Sequence, residues 1–169
     1  MMNQTEKNFW LDAVIFIALL ITTLSGFLLW LGNPEKGIIS LGLSFILWQT
    51  MHLCSAIIGL TGIVLHVTAH WKWLKAMRGR RLTEMPKKLR ANRIVNRVMW
   101  FSFIATTVFG LLTLIFSLNY SAFFVQVSNR LHVGFGFTWL TLAIMHLVFH
   151  RKWILYKLRG FQIIRKPIC

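Results

Sequence analysis

The sequence predicts an all-α membrane protein, a four-transmembrane-helix up-down bundle built from two repeated two-helix units. Three observations carry that expectation. First, 56% of the 169 residues are hydrophobic and only 14% are charged, with a mean hydropathy of +0.62, a balance that suits polytopic membrane proteins and few soluble domains. Second, the apolar runs have the length of a bilayer crossing. Third, all six histidines fall into two matched stretches, HLCSAIIGLTGIVLHVTAHWKW from His52 and HVGFGFTWLTLAIMHLVFHRKW from His132, each with the same two spacings.

Residues 1–8 are short and polar, and no basic segment with a small-residue cleavage site follows, so the first apolar run is expected to be retained. That run, about 9–31, carries no charge after Asp12 and ends at Gly32-Asn33-Pro34, which has the chemistry of a turn. From Ile38 to Trp71 there is no Lys, Arg, Asp or Glu, which is too long for one perpendicular span. The segment before Trp48 is therefore expected to be an interfacial helix or a tilted entry. The second span then covers about 48–71, with a Trp at each interface. Residues 72–97 read as a basic, lipid-attracted loop, in which Leu74, Met77 and Leu82 are the apolar side of a short surface helix interrupted by Gly79 and Pro86. The third span covers about 98–118. Asn119 to Arg130 is a mixed apolar lead-in, the fourth span covers about 131–150, and a basic tail closes the chain, making one membrane domain over 1–169.

A net charge of +15 invites a nucleic-acid reading, but its distribution argues otherwise. Of 19 Lys and Arg, ten lie from Lys72 to Arg97 and six from Arg151 onward, both groups abutting apolar spans. The positive-inside rule accounts for such clusters without a nucleic-acid partner. It puts the N-terminus, the 72–97 loop and the C-terminus in the cytoplasm, so the second and fourth spans run parallel. The two cysteines, Cys54 and Cys169, form no CxxC or CxxCH pattern, which excludes covalent c-type haem, an iron–sulfur cluster and a cysteine zinc site. Cys54 reads as a small buried hydrophobe.

The histidines carry the chemistry. An offset of 80 aligns His52 with His132, His66 with His146 and His70 with His150, as an internal repeat would. Fourteen residues is about 21 Å of helix with a net rotation of about −40°, so His52 and His66 share a broad face near opposite membrane surfaces. Four imidazoles at repeated depth inside hydrocarbon are costly unless they function. Two facing imidazoles at one depth can fill both axial positions of a haem iron, and two such pairs would hold two haems across the membrane.

The paired H-x13-H on alternate helices resembles the di-haem core of membrane b-type cytochromes, including respiratory cytochrome b and the small four-helix anchors of bacterial dehydrogenases and hydrogenases. With NFWLD, SGFLLWL and H-x3-HWKW, the chain resembles in particular a family of short bacterial four-helix cytochrome b-like proteins. That resemblance covers nearly the whole chain. It implies that His52 and His132 ligate an outer haem, and His66 and His146 a cytoplasmic-side haem, in a bacterial inner membrane. In such bundles glycines let a porphyrin approach a helix backbone. Gly26 and Gly110 hold corresponding places and serve either that purpose or helix packing, whereas packing is the expected role of Gly59, Gly62, Gly134 and Gly136. His70 and His150, one turn beyond the inner ligands, have three open roles: propionate contact, part of a quinone site, or the inner ligands themselves. The last would set the irons about 27 Å apart, pushing one into the headgroups. Arg130 near the outer pair, and Lys72, Arg93, Arg97 and Arg151 near the inner pair, are placed to neutralise propionates or to snorkel.

The expected function is electron transfer across the bilayer between a membrane quinone and a partner redox subunit, as part of a quinone-linked oxidoreductase. Proton exchange with the quinone would fall to His70, His150, Asp12 or Glu35. The rival is a transition-metal transporter using the histidines as a pathway, since imidazole suits copper, zinc and iron. Such pathways usually add intramembrane carboxylates or thiols, and this chain offers the lone Cys54.

Overall fold

The computed structural model describes residues 4–32, 38–40, 43–79, 81, 83, 85–119 and 122–164. The order is α1 (Gln4–Leu31), β1 (Ile38–Ser40), β2 (Leu43–Ser44), α2 (Phe45–Ala69), α3 (Trp71–Arg78), α4 (Lys87–Asn119) and α5 (Ala122–Ile164). Helices α1, α2, α4 and α5 are each long and apolar enough to cross a membrane, so the chain is an all-α, multi-pass membrane protein. It divides into two compact units, 1–81 and 82–169. Each is built on one pair of long helices, α1 with α2 and α4 with α5.

The four spans lie where the apolar runs place them, but the helices differ from the expected boundaries in several places. Among the described residues no interfacial helix precedes the second span: Ile38–Ser40 pairs antiparallel with Leu43–Ser44, and α2 starts directly after Ser44. Ser44 has extended backbone and its Oγ accepts the Leu47 amide at 3.3 Å, satisfying one of the amides that a helix start leaves without an intrahelical acceptor. The 72–97 region is largely helical rather than a loop. Helix α3 continues from α2 through His70, whose amide donates to the His66 carbonyl while its own carbonyl accepts from Leu74. It ends at Gly79, as expected, and Lys75 lies over the Trp71 ring at 5.7 Å. Helix α4 begins after Pro86, whose carbonyl accepts the Arg90 amide, so eleven residues of helix precede Val98. Proline lacks an amide and is well suited to a helix start, and basic side chains beyond the lipid do not oppose helix formation. Likewise α5 starts at Ala122 and absorbs the Asn119–Arg130 lead-in almost entirely. The basic tail expected after His150 is helical as far as Ile164, because α5 runs on through it. Asn33, Pro34, Glu35, Leu82 and the residues from Arg165 onward lie outside the described residues.

The packing inside each unit is the reverse of a soluble core. The most completely buried side chains are Ser25 and Ser102, while Ile17, Phe27, Ile57, Phe101 and Ile144 are exposed. Lipid solvates large apolar side chains, so helices associate through small residues that bring their backbones close. The buried hydroxyls are satisfied within the unit: Ser25 donates to the Ile21 carbonyl at 2.7 Å and Ser55 to Met51 at 2.7 Å. Between helices, Ser55 meets Thr22 at 2.8 Å and Thr113 donates to Ser128 at 3.1 Å. With no water in the hydrocarbon, those bonds are the ones available.

Gly59 and Gly62 are buried packing glycines, as expected. A Cβ on Gly62 would come within 2.5 Å of Ile15 Cγ1, and one on Gly59 within 2.9 Å of Leu19 Cδ2. Gly134 differs, for a Cβ there would meet nothing within 4 Å, and Gly136 would make only an ordinary contact with Thr106. Replacement of Gly62 by Val is expected to destabilise its unit by about 1–3 kcal/mol through overpacking. The check is a lower thermal midpoint of the helical circular dichroism in detergent, with Gly134→Ala as a control that does not lower the midpoint.

Candidate haem-ligand histidines

The two units seat their histidines in the same way. In the first, α1 and α2 run antiparallel, which brings the C-terminal half of α1 to His52 and its N-terminal half to His66. The His52 Nδ1–H donates to the Thr22 carbonyl at 2.9 Å, and Ser25 Oγ lies 3.3 Å from the same nitrogen. The His66 Nδ1–H donates to Asp12 Oδ1 at 2.6 Å. In the second unit α4 plays the part of α1. His132 Nδ1–H donates to the Thr106 carbonyl at 2.8 Å, and His146 Nδ1–H to Asn96 Oδ1 at 2.9 Å.

A backbone carbonyl and a carboxylate can only accept, which decides the tautomer for His52, His132 and His66. In the neutral ring the proton is then on Nδ1 and the lone pair on Nε2. The Asn96 amide oxygen makes the same arrangement for His146. A neutral imidazole with Nδ1–H anchored to an acceptor, and Nε2 aimed away from it, is the usual form of a metal-ligating histidine. The donor set therefore fits the axial positions of haem iron, two imidazoles in each unit. All four rings are partly buried within their units.

Gly26 and Gly110 each lie against a histidine ring of the companion helix. A Cβ on Gly26 would sit 2.8 Å from His52 Cε1, and one on Gly110 would sit 2.8 Å from His132 Nδ1. The missing side chain makes room for the imidazole itself, so the ring can lie against the neighbouring helix and reach the carbonyl one turn earlier.

His70 and His150 are not seated like the other four. Their rings stand 4.7 Å from His66 and 4.6 Å from His146, tilted by 51° and 45°. Each third histidine therefore packs on the histidine one turn before it in its own unit. Arg130 is exposed on α5 two residues before His132, and Lys72, Arg97 and Arg151 are also exposed. Arg93 is partly buried and donates to the Met85 sulfur at 3.8 Å. Cys54 corrects an expectation: it is exposed rather than buried. Two residues of helix turn the chain by about 200°, so the position after next from an inward-facing His52 points outward. Among the described residues, no three His, Cys, Asp or Glu side chains gather as a non-haem metal group would.

The acceptors Thr22, Thr106 and Asn96, and the pairing of Asp12 with His66, are absent from the sequence reading. Their signal was present. Asn8, Asp12, Thr22, Thr23 and Gly26 recur as Asn92, Asn96, Thr106, Thr107 and Gly110, a pattern N-x3-[DN]-x9-TT-x2-G at an offset of 84. The histidine helices repeat at 80, so the connection holding β1 and β2 is four residues longer than its counterpart, and one offset aligns only half of each unit.

Compared with protein-family models, curated proteins and solved structures, the chain matches none.

Proposed function

We propose that the chain is a di-haem b-type cytochrome of a bacterial inner membrane, carrying electrons between the quinone pool and a partner redox subunit of a respiratory complex. One observation carries this reading: four intramembrane histidines, two per unit at the same spacing, each give Nδ1–H to an acceptor on the companion helix. A packing histidine needs a partner for its polar edge, but nothing requires four of them to share one tautomer at repeated depth.

On this reading His52 and His132 are the ligands of the outer haem and His66 and His146 those of the cytoplasmic-side haem. When bound, haem supplies a one-electron couple that no side chain here provides. The residues of the chain do the rest. Thr22 and Thr106 fix the outer rings, Asp12 and Asn96 fix the inner ones, and Gly26 and Gly110 leave space for the outer rings to be fixed. His70 and His150 stand where their apolar spans meet the basic residues that follow, where they can exchange protons with a quinone or contact a propionate. With the positive clusters inside, the termini and the 79–86 connection are cytoplasmic.

The purified protein is expected to show a Soret band and a reduced α band, with a pyridine haemochrome assay giving two haems b per chain. Absence of a Soret band, with copper or zinc retained instead, would overturn the proposal in favour of the metal-transport reading.

A further inference from the structure

The two inner histidines differ in one respect that the repeat leaves conspicuous. His66 is held by a carboxylate, Asp12, at 2.6 Å, whereas His146 is held by the neutral amide of Asn96 at 2.9 Å. The two acceptors occupy the same place in the N-x3-[DN]-x9-TT-x2-G pattern, so the difference is one of charge and not of position. The corresponding outer acceptors, Thr22 and Thr106, are both backbone carbonyls and carry no such asymmetry. Asp12 is the one acid of α1 after Glu6, and its carboxylate pairs with His66 at 2.6 Å.

A hydrogen bond to a carboxylate is shorter and stronger than one to an amide, and it draws the imidazole proton toward the acceptor. The ring becomes more anionic and a better donor at Nε2, which is how outer partners raise the basicity of a metal-bound histidine. A more basic axial ligand and a nearby negative charge both favour Fe(III) over Fe(II) in the one-electron couple Fe(III) + e⁻ → Fe(II). Screening is weaker inside a bilayer than in water, so the charge is felt more strongly there.

We propose that Asp12 is a positioning and potential-setting residue, which through His66 holds the inner haem at a lower reduction potential than the outer one. The inference rests on the di-haem reading above. It gives electrons a downhill direction, from the cytoplasmic-side iron toward the outer iron, that neither the repeated ligands nor their spacing supplies.

The test is a spectroelectrochemical redox titration of the purified holoprotein, with Asp12→Asn and Asn96→Asp compared with the unmodified chain. In Asp12→Asn, both haems should be retained and one midpoint should rise by at least a tenfold change in the equilibrium, about 59 mV for one electron, while the other stays in place. Asn96→Asp should lower a midpoint in the opposite sense, and the double exchange Asp12→Asn with Asn96→Asp should return the low potential. A merely structural anchor would not respond to the sign of the charge. Two haems with unmoved midpoints in both single variants would overturn the inference while leaving the di-haem reading intact. Should Asp12→Asn fail to hold the haem, Asn96→Asp decides alone: a fall supports the inference and no fall overturns it. An unmodified protein without haem overturns the proposed function itself, and this inference with it.

Discussion

Replacing His66 by Ala is expected to leave a protein with one haem in place of two, while replacing His70 by Ala leaves both. The two residues are one helical turn apart, and either could serve by rotation alone. Their surroundings differ. His66 gives its Nδ1 proton to Asp12 across the helix pair, which fixes the ring and places the lone pair on Nε2. His70 closes the last turn of α2 and rests its ring on His66. The same contrast holds for His146, anchored by Asn96, and His150. Removing an axial ligand leaves the iron one bond short in an apolar setting, so a near-complete loss of that haem is the expected magnitude. The measurement is the pyridine haemochrome stoichiometry of each purified variant, with His146→Ala and His150→Ala as the matched pair. Full haem in His66→Ala together with loss in His70→Ala would reassign the inner ligands.

The second large effect is expected at Gly26 and Gly110. A Val at Gly26 must displace either its own helix or the His52 ring, because the first side-chain carbon would already overlap Cε1. The ring is the softer of the two, but its Nδ1 bond to the Thr22 carbonyl is lost when it moves. Leaving that carbonyl and Nδ1–H unmatched in lipid costs roughly 1–3 kcal/mol, and overpacking adds a similar amount. Gly26→Val and Gly110→Val are each expected to lose the haem assigned to His52 and His132, leaving the other bound. Haem content and the remaining midpoint potential report this directly. A variant that loses stability but keeps both haems when it is folded would show the glycines to be packing residues alone.

Much of this was legible in the chain. Apolar runs of bilayer length specify spanning helices almost by themselves, because the hydrocarbon leaves no other way to satisfy the backbone. Six histidines at repeated spacing identified the candidate ligands for the same reason, since polar groups inside a membrane are costly and therefore few. Helix ends were less legible. The run from Lys87 to Arg97 looked like loop because its charge suggested solvent, yet solvent exposure and helical backbone are compatible. The β1–β2 pair before Phe45 was hidden because its apolar residues continue the hydropathy of the span that follows.

What the sequence determined alone was the membrane class, the two-unit repeat and the identity of the six histidines. Only the tertiary structure decided which histidines are anchored, by what, and in which tautomer. The reason is geometric. The acceptor for His52 lies 30 residues away and that for His66 lies 54 away, on a helix running the other way. Such a partner depends on the register of two antiparallel helices, and the small residues that set that register, among them Gly59, Gly62 and Ser55, carry no chemistry of their own to announce it.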